Sequence, residues 1–267
     1  MPEMTRDVFG LPPVSEMMRA AGLSPKKSLG QNFLFDLNLT RKIARAVPDL
    51  EKNVVLEVGP GPGGLTRALL ECGAKSIMAV EKDTATAPIL EEVKKVAGGR
   101  LNIIYGDAMK IYPSECNAIC SNLPYNIGTE LLVRWLHFPD RIKSMTLMFQ
   151  REVAERIVAK PGAKQYGRLS VLAALGWRAK ILFNVPNTAF TPPPKVQSAV
   201  VQIVPTGKIY QIEKIEKLTA VLFGQRRKMI RGIMSDVDWA RFGLTGTERA
   251  EQLAPEMFAR IADELLF

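Results

Sequence analysis

The chain has few of the residues on which metal binding and disulfide chemistry depend. Its 267 residues include three cysteines and one histidine. A zinc site needs about four such ligands, and three cysteines cannot all pair within one chain, so we expect buried thiols and no metal site. Catalysis by a serine–histidine pair is also disfavoured, because His137 lies where a helix is predicted to end.

Long apolar runs are also missing. No stretch approaches the eighteen or more continuous apolar residues of a membrane span. Residues 1–13 lack the basic start and the apolar run of a signal peptide. We therefore expect a cytoplasmic protein that does not use a membrane.

Acidic residues are outnumbered, with 27 Asp and Glu against 36 Lys and Arg, which gives a formal net charge of +9. Such an excess favours a polyanionic partner, with nucleic acid ahead of a membrane surface, although a merely soluble basic protein stays open. We expect six basic side chains to contact nucleic-acid phosphates: Lys26, Lys27, Arg168, Arg226, Arg227 and Lys228.

Short apolar segments alternate with helical ones through the first two thirds of the chain, which predicts an α/β fold. The strand-like segments are 54–58, 76–80, 102–105, 118–120 and 145–149, and 181–185 and 198–204 form a closing antiparallel pair. This pattern predicts a doubly wound, mostly parallel sheet of seven strands. Residues 190–194 read as a stiff, proline-rich loop and not a strand, and residues 1–35 as an extended or loosely helical arm. We divide the chain into an α/β domain, 1–205, and a small helical domain, 206–267.

A glycine-rich turn follows the first predicted strand, with the sequence Gly59-Pro60-Gly61-Pro62-Gly63-Gly64. Its spacing satisfies the dinucleotide signature G-x-G-x-x-G, and Glu81 stands about twenty residues further on, so a nicotinamide cofactor is formally possible. A turn that binds no ligand is a second alternative. S-adenosylmethionine is favoured because the two prolines remove N–H donors that a pyrophosphate needs. Glu81 can accept from both ribose hydroxyls, and Asp107 suits the adenine edge.

The segment Asn122-Leu123-Pro124-Tyr125 ends the fourth predicted strand, where open α/β sheets place their ligands. The Asn122 side-chain carbonyl and the backbone carbonyl of Leu123 or Pro124 can accept both hydrogens of an adenine N6 amino group. These two hydrogen bonds would direct the nitrogen lone pair toward a methyl donor, and the ring of Tyr125 offers a face on which the base can stack. The alternative is a turn that merely ends a strand.

Six segments in this order resemble one family over most of the chain, from Ser28 to about Gly232. They are Ser28-Leu29-Gly30-Gln31-Asn32-Phe33, Glu57 to Thr66, Asn122 to Ile127, Tyr166-Gly167-Arg168-Leu169-Ser170, Phe190 to Val196, and Phe223-Gly224-Gln225-Arg226-Arg227-Lys228. The sequence is similar to the small-subunit (16S) ribosomal RNA adenine N6,N6-dimethyltransferases, which have the Rossmann-like class I methyltransferase fold.

The resemblance implies that two adjacent adenosines near the 3′ end of small-subunit ribosomal RNA are dimethylated late in assembly, on a precursor of the small subunit. It implies cofactor contacts at Gln31, Asn32, Leu34, Gly59, Glu81, Lys82, Asp107, Ala108 and Asn122, to which the glycine pattern adds Gly61. It also implies that Tyr125 and Phe190 sandwich a flipped base. A monomer suits an enzyme that docks on a ribosomal subunit. Two positions depart from the usual pattern, Gly128 and Met229, and neither touches the expected chemistry.

Two other functions stay open at this point. A related class of dimethyltransferases modifies large-subunit RNA, although the Tyr166 segment and the Gln225 to Lys228 patch favour the small-subunit class. A second possibility is an RNA-binding assembly factor in which catalysis is dispensable.

Overall fold

A seven-stranded sheet organises the chain, which the computed structural model describes over residues 9–26, 30–111 and 114–265. The strands are β1 (Phe33–Leu34), β2 (Val54–Val58), β3 (Ser76–Glu81), β4 (Leu101–Tyr105), β5 (Ala118–Asn122), β6 (Ser144–Gln150), β7 (Trp177–Val185), β8 (Phe190–Thr191) and β9 (Ser198–Pro205). The sheet order is β4-β3-β2-β5-β6-β9-β7, and β1 pairs with β8 in a separate ribbon. Within the sheet β9 runs antiparallel to the other six strands, which are parallel to one another. The predicted doubly wound, mostly parallel sheet is confirmed.

Helices cover both faces of this sheet. They are α1 (Val14–Ala20), α2 (Leu37–Arg45), α3 (Gly64–Glu71), α4 (Ala87–Val96), α5 (Gly128–Leu136), α6 (Arg151–Ile157), α7 (Arg168–Ala174), α8 (Ile212–Gly224) and α9 (Pro255–Glu264). Asp36 caps α2 as predicted, because its carboxylate accepts the N–H of Asn38 at 2.8 Å. Among the described residues, no helix combines the length and the apolar character needed to cross a membrane.

The order of the strands reverses at β2, which has β3 on one side and β5 on the other. The helices that follow β2 and β5 therefore leave on opposite sides and open a crevice at the carboxyl ends of the strands. The glycine-rich turn follows β2, and the Asn122 segment follows β5. The fold thus brings together two motifs that are about sixty residues apart in sequence.

The proline-rich segment departs from its prediction as a loop without strand. Phe190 and Thr191 form β8, which pairs antiparallel with β1 in the register Leu34 to Phe190. The prolines begin only at residue 192, so both preceding residues keep N–H groups that a ladder can use. In the arm, α1 is more regular than the extended or loosely helical chain that we expected.

The C-terminal residues pack against the α/β layer through a shared apolar core. The Phe223 ring stacks on Phe258 with centroids 5.6 Å apart, and Tyr166 donates its hydroxyl to the Leu253 carbonyl at 2.9 Å. Within the described residues after Pro205, β structure is limited to an isolated bridge between Met229 and Arg249. This segment is helical as predicted, while the division at residue 205 into two domains stays a prediction.

Candidate active site

One cavity at the carboxyl ends of β2, β3, β4 and β5 gathers most of the predicted site residues. Its lining comprises Gly30, Gln31, Asn32, Phe33, Val58, Gly59, Gly61, Val80, Glu81, Lys82, Gly106, Asp107, Ala108, Met109 and residues 122–127. Of the predicted catalytic and cofactor residues, Leu34 and Phe190 lie outside this lining. Among the described residues, no group of His, Cys, Asp and Glu is arranged to hold a metal ion.

Three backbone N–H groups of the glycine-rich turn donate within the protein. Gly59 donates to the Val80 carbonyl at 2.9 Å, Gly61 to Oε2 of Glu81 at 2.9 Å, and Gly63 to the Pro60 carbonyl at 2.9 Å. The two intervening prolines have no N–H to offer. A phosphate bound to this turn would have to displace these hydrogen bonds, which strengthens the case against a dinucleotide.

Phe33 is a cavity residue to which the sequence assigned no role. Its ring packs on the backbone of Gly61, where an added Cβ would lie 2.7 Å from the ring. Gly61 also has a φ of +55°, a conformation that favours glycine. The turn and Phe33 therefore fit together only with glycine at position 61. An aromatic residue next to Asn32 was visible in the sequence, but no sequence pattern indicated that Phe33 would pack on Gly61.

Glu81 lies at the end of β3 with only 5% of its surface exposed. Its Oε1 accepts the N–H of Asp83 at 2.7 Å and its Oε2 accepts that of Gly61 at 2.9 Å. Burial raises the pKa of this carboxyl above its usual value, and the backbone donors oppose that rise. Each oxygen has a second lone pair, so a carboxylate held in this way can still accept from two hydroxyl groups in the cavity.

Asp107, which follows the neighbouring strand β4, forms an ion pair with Lys82, with Nζ to Oδ2 at 2.9 Å. The lysine hydrogen bond and the N–H of Met109 hold the pKa of Asp107 below its usual range. Asp107 is therefore ionised at neutral pH. Its carboxylate is a hydrogen-bond acceptor at the end of β4, and its expected contact with the edge of an adenine ring stays a prediction.

A further buried carboxyl, Glu57, lies beneath the turn and is 1% exposed. Its Oε2 accepts the Thr66 hydroxyl at 2.7 Å. Burial raises the pKa of Glu57 to about 8, the Thr66 hydrogen bond lowers it, and the nearby Glu81 charge raises it. Glu57 is thus mostly protonated at neutral pH, and the turn stands over a neutral carboxylic acid.

The segment before β1 reaches the cavity through Gln31 and Asn32. Gln31 donates from Nε2 to Asp83 at 3.0 Å, and its Oε1 accepts the Lys26 N–H at 2.8 Å. Lys26 itself forms an ion pair with Asp83, with Nζ to Oδ1 at 2.8 Å. Burial raises the pKa of Asp83, but the Lys26 and Gln31 hydrogen bonds outweigh it and the pKa is lowered overall. Asp83 is a second residue whose role the sequence did not indicate.

The orientation of the Asn122 side chain follows from one hydrogen bond. Its Nδ2 donates to the backbone carbonyl of Asn32 at 3.0 Å. A carbonyl can only accept, so the amide nitrogen must face Asn32 and the Oδ1 atom must face away from it. Asn122 thus has an acceptor oxygen available at the cavity.

The structure also distinguishes between the two backbone carbonyls left open by the sequence. The Pro124 carbonyl accepts the N–H groups of Ile127 at 3.2 Å and of Gly128 at 3.0 Å, which uses both of its lone pairs. The Leu123 carbonyl accepts no hydrogen bond from any described residue. Of the two carbonyls, that of Leu123 is therefore the one still able to accept a hydrogen bond beside Asn122.

Tyr125 is half-buried, and its hydroxyl lies 2.7 Å from the Ser198 hydroxyl of β9. Burial raises the pKa of Tyr125, and the Ser198 hydrogen bond opposes this, so the phenol is neutral at physiological pH. Ser198 is itself fully buried. The hydrogen bond holds the aromatic ring in one position at the cavity, and the sequence gave no indication of this partner.

Phe190 and Leu34 are buried and paired with each other across the β1–β8 ribbon. Phe190 is 3% exposed and packs among apolar residues that include Leu34 and Val200. Its expected role in stacking on a base stays a prediction, because the ring does not line the cavity. The Leu34 carbonyl lies 2.6 Å from the place where a Cβ on Gly64 would stand, so its contact is with the start of α3.

The six predicted RNA contacts fall into different environments. Arg227, Lys228 and Arg168 are exposed, whereas Lys26 is paired with Asp83. Arg226 pairs with Glu251 and donates to the Lys164 carbonyl at 2.8 Å. Lys27 lies outside the described residues.

Comparison with known proteins gives one consistent assignment. A family model described as ribosomal RNA adenine dimethylase matches residues 22–266. A relative from Chelativorans sp., named ribosomal RNA small subunit methyltransferase A, is 52% identical over 273 residues, which cover 96% of this chain and 98% of the relative. A protein of the same name from Brucella abortus is also 52% identical, with 97% and 99% of the two chains covered.

Solved structures support the fold. A dimethyladenosine transferase from Plasmodium falciparum superposes with a TM-score of 0.75 at 24% identity, covering 85% of this chain and 94% of that one. The 23S rRNA methyltransferase ErmE gives a TM-score of 0.67 at 22% identity, covering 87% and 98%. The family model spans nearly the whole chain, and the relatives are about half identical to it along their full length. The chain belongs to the ribosomal RNA adenine dimethylase family.

Proposed function

We propose that this protein uses S-adenosylmethionine to dimethylate the N6 amino groups of two adjacent adenosines near the 3′ end of small-subunit ribosomal RNA. The observation that carries this proposal is the orientation of Asn122. Its amide nitrogen is held by the Asn32 carbonyl, which leaves the side-chain oxygen as an acceptor beside the Leu123 carbonyl. Two neutral acceptors at one position match the two hydrogens of a primary amine.

The cavity fits S-adenosylmethionine in its charges and in its acceptors. Glu81 offers two oxygens for the ribose hydroxyls, and Asp107 lies at the end of the next strand, where an adenine amino group can donate to it. Because the N–H groups of Gly59, Gly61 and Gly63 are already used and residues 60 and 62 are prolines, the turn suits the methionine part of the ligand better than a pyrophosphate. When bound, S-adenosylmethionine supplies an electrophilic methyl group.

The residues of the reaction centre act by position and polarisation. The N6 lone pair of adenine is delocalised into the ring, so the nitrogen is a weak nucleophile in its resting state. Hydrogen bonds from both amino hydrogens to Asn122 Oδ1 and the Leu123 carbonyl favour a pyramidal nitrogen with its lone pair directed outward. Tyr125, held by Ser198, provides a face on which the flipped base stacks.

The substrate is the small subunit, or a late precursor of it. Relatives that are about half identical to this chain over nearly their full length carry the small-subunit name, whereas the large-subunit enzyme ErmE is 22% identical. The exposed Arg168, Arg227 and Lys228 are available for RNA phosphates.

Side-by-side incubation with the two ribosomal subunits tests this proposal. Unmethylated small and large subunits are each incubated with the protein and labelled S-adenosylmethionine, and nucleosides are identified by mass spectrometry after digestion. We expect label in N6,N6-dimethyladenosine from the small subunit. Label that appears only in large-subunit RNA would overturn the choice of substrate. If neither subunit yields labelled methyladenosine, the proposed activity itself is overturned.

A further inference from the structure

Arg67 is a buried arginine that joins α3 to the N-terminal arm. It lies on α3, directly after the glycine-rich turn, and is 1% exposed. Its Nη1 donates to the Pro12 carbonyl at 2.8 Å, and its Nη2 donates to the Leu11 carbonyl at 3.4 Å. A guanidinium out of water is costly unless its N–H groups are bonded. If the arm undocked, these hydrogen bonds would be lost, so Arg67 stabilises the docked arm.

The helix α1 continues from this attachment and packs behind the cavity wall. Met18 of α1, Phe33 and Ile89 form one buried apolar cluster. Phe33 is the residue whose ring packs on Gly61 and lines the cavity. No residue of α1 lines the cavity, so α1 acts on it through the cluster that contains Phe33.

A second attachment lies at the other end of the same segment. Lys26 pairs with Asp83 at 2.8 Å. Asp83 in turn donates its backbone N–H to Oε1 of Glu81 at 2.7 Å. The segment is therefore fastened at both ends to residues adjoining the cofactor cavity, Arg67 after the turn and Asp83 after β3.

We propose that residues 9–26 act as a strap, fastened by Arg67 and Asp83, that sets cofactor affinity by holding Phe33 against Gly61. Arg67 and Met18 are then positioning residues for a site that neither of them touches. This inference rests on the proposed function in one respect, namely that S-adenosylmethionine is the ligand of the cavity. Its physical basis is that a site assembled in only a fraction of molecules has a proportionally weaker apparent affinity.

Thermodynamic reciprocity gives a test on the unaltered protein. If a docked strap favours cofactor binding, then bound cofactor must favour the docked strap to the same extent. Hydrogen exchange of the wild-type chain is measured with and without saturating S-adenosylmethionine. We expect amides of residues 14–23 to exchange at least threefold more slowly with cofactor. Unchanged exchange there, with slower exchange at Gly61, would overturn the strap.

Calorimetric titration of variants measures the effect on affinity directly. We expect Arg67→Met and Met18→Ala to raise the Kd for S-adenosylmethionine about tenfold, as would follow if the strap were docked in one tenth of the molecules. The value of kcat at saturating cofactor should change little, because the reaction centre is untouched. Met18→Ala provides the measurement if the arginine variant does not fold.

Arg100→Met is the matched control. Arg100 also donates to backbone carbonyls, those of Leu70 at 3.0 Å and Ala74 at 3.3 Å, but at the end of the sheet away from the cavity. The Arg100→Met variant should have a lower thermal stability and an unchanged Kd for S-adenosylmethionine. An unchanged Kd in folded Arg67→Met and Met18→Ala would overturn the strap, as would an equal rise in all three variants. A wild-type protein without affinity for S-adenosylmethionine would instead refute the proposed cofactor.

Discussion

At the proposed reaction centre, two hydrogen bonds orient side chains that line the cavity. The Asn32 carbonyl fixes the Asn122 amide, and the Ser198 hydroxyl fixes Tyr125. Neither partner is near its target in sequence, so the residue types could be predicted while their orientation could not. The chemistry proposed for the Asn122 segment could be predicted from sequence because it depends on which groups can accept a hydrogen bond. The choice of the Leu123 carbonyl over that of Pro124 needed the structure, because it depends on the start of α5.

The Tyr125–Ser198 hydrogen bond leads to a double-variant prediction. Ser198→Ala and Tyr125→Phe each leave one buried hydroxyl without its partner, which typically costs about 1 kcal/mol or more. We expect each to lower kcat/KM for RNA three- to tenfold with the Kd for cofactor unchanged. The double variant should be no worse than either single one, since no orphaned hydroxyl remains. Losses that multiply in the double variant would show that the two side chains act separately.

Glu57 gives a pH prediction whose direction is fixed by burial. Its folded-state pKa, about 8, lies above the usual carboxyl value of 4.5, so its protonated form stabilises the fold. That contribution is present at low pH and is lost as pH rises from about 4.5 to 8. Glu57→Gln mimics the protonated acid and should lose less stability over this range. Thermal unfolding of both proteins at pH 5 and pH 8.5 provides the comparison, and parallel changes in Tm would contradict the assignment.

At the scale of elements, the parallel strands followed directly from short apolar runs bounded by glycine and polar residues. The β1–β8 ribbon did not, because two-residue strands carry too little pattern to distinguish them from loops. Phe190 shows the consequence most clearly. Its pairing with Leu34 and the burial of its ring could not be predicted from the sequence, and its expected stacking on a base stays a prediction.

The contact between β1 and α3 can be tested at Gly64. A Cβ at this position would lie 2.6 Å from the Leu34 carbonyl, which is backbone and cannot move aside cheaply. We expect Gly64→Ala to destabilise the protein by about 1–3 kcal/mol, as overpacking does elsewhere. Gly224→Ala at the end of α8 has open space around its Cβ and should be neutral or slightly stabilising. Equal stability of the two variants in urea unfolding would contradict this account of the contact.

At the scale of the whole molecule, the net charge of +9 was the first indication of an RNA partner. The net charge alone could not show which basic side chains are available to bind RNA. Arg226 is held by Glu251 and by the Lys164 carbonyl, whereas its neighbours Arg227 and Lys228 are exposed. The docking of the N-terminal arm could not be predicted from sequence either, because its contacts with Arg67 and Asp83 join positions that are far apart in the chain.

The salt dependence of RNA affinity separates these basic residues. Arg227→Ala and Lys228→Ala should each weaken binding and reduce the slope of log K against log salt by about 0.7–0.9, the value for one phosphate contact. Arg226→Ala should chiefly lower thermal stability, since it removes contacts within the protein. Filter binding of small-subunit RNA from 50 to 300 mM salt provides the slopes. Wild-type binding that does not change with salt would mean that the positive surface is only solvated.

The central claim is that the Asn122 oxygen grips the amine that is methylated, and single-turnover methylation by Asn122→Ala tests it most directly. Small subunits are incubated with excess variant at a cofactor concentration shown by calorimetry to saturate it, and N6,N6-dimethyladenosine is quantified by mass spectrometry. We predict a rate at least 10²-fold below that of the wild type, the usual effect of removing one polarising group from a reaction centre. A rate within about threefold of the wild type, with cofactor bound, would contradict the account.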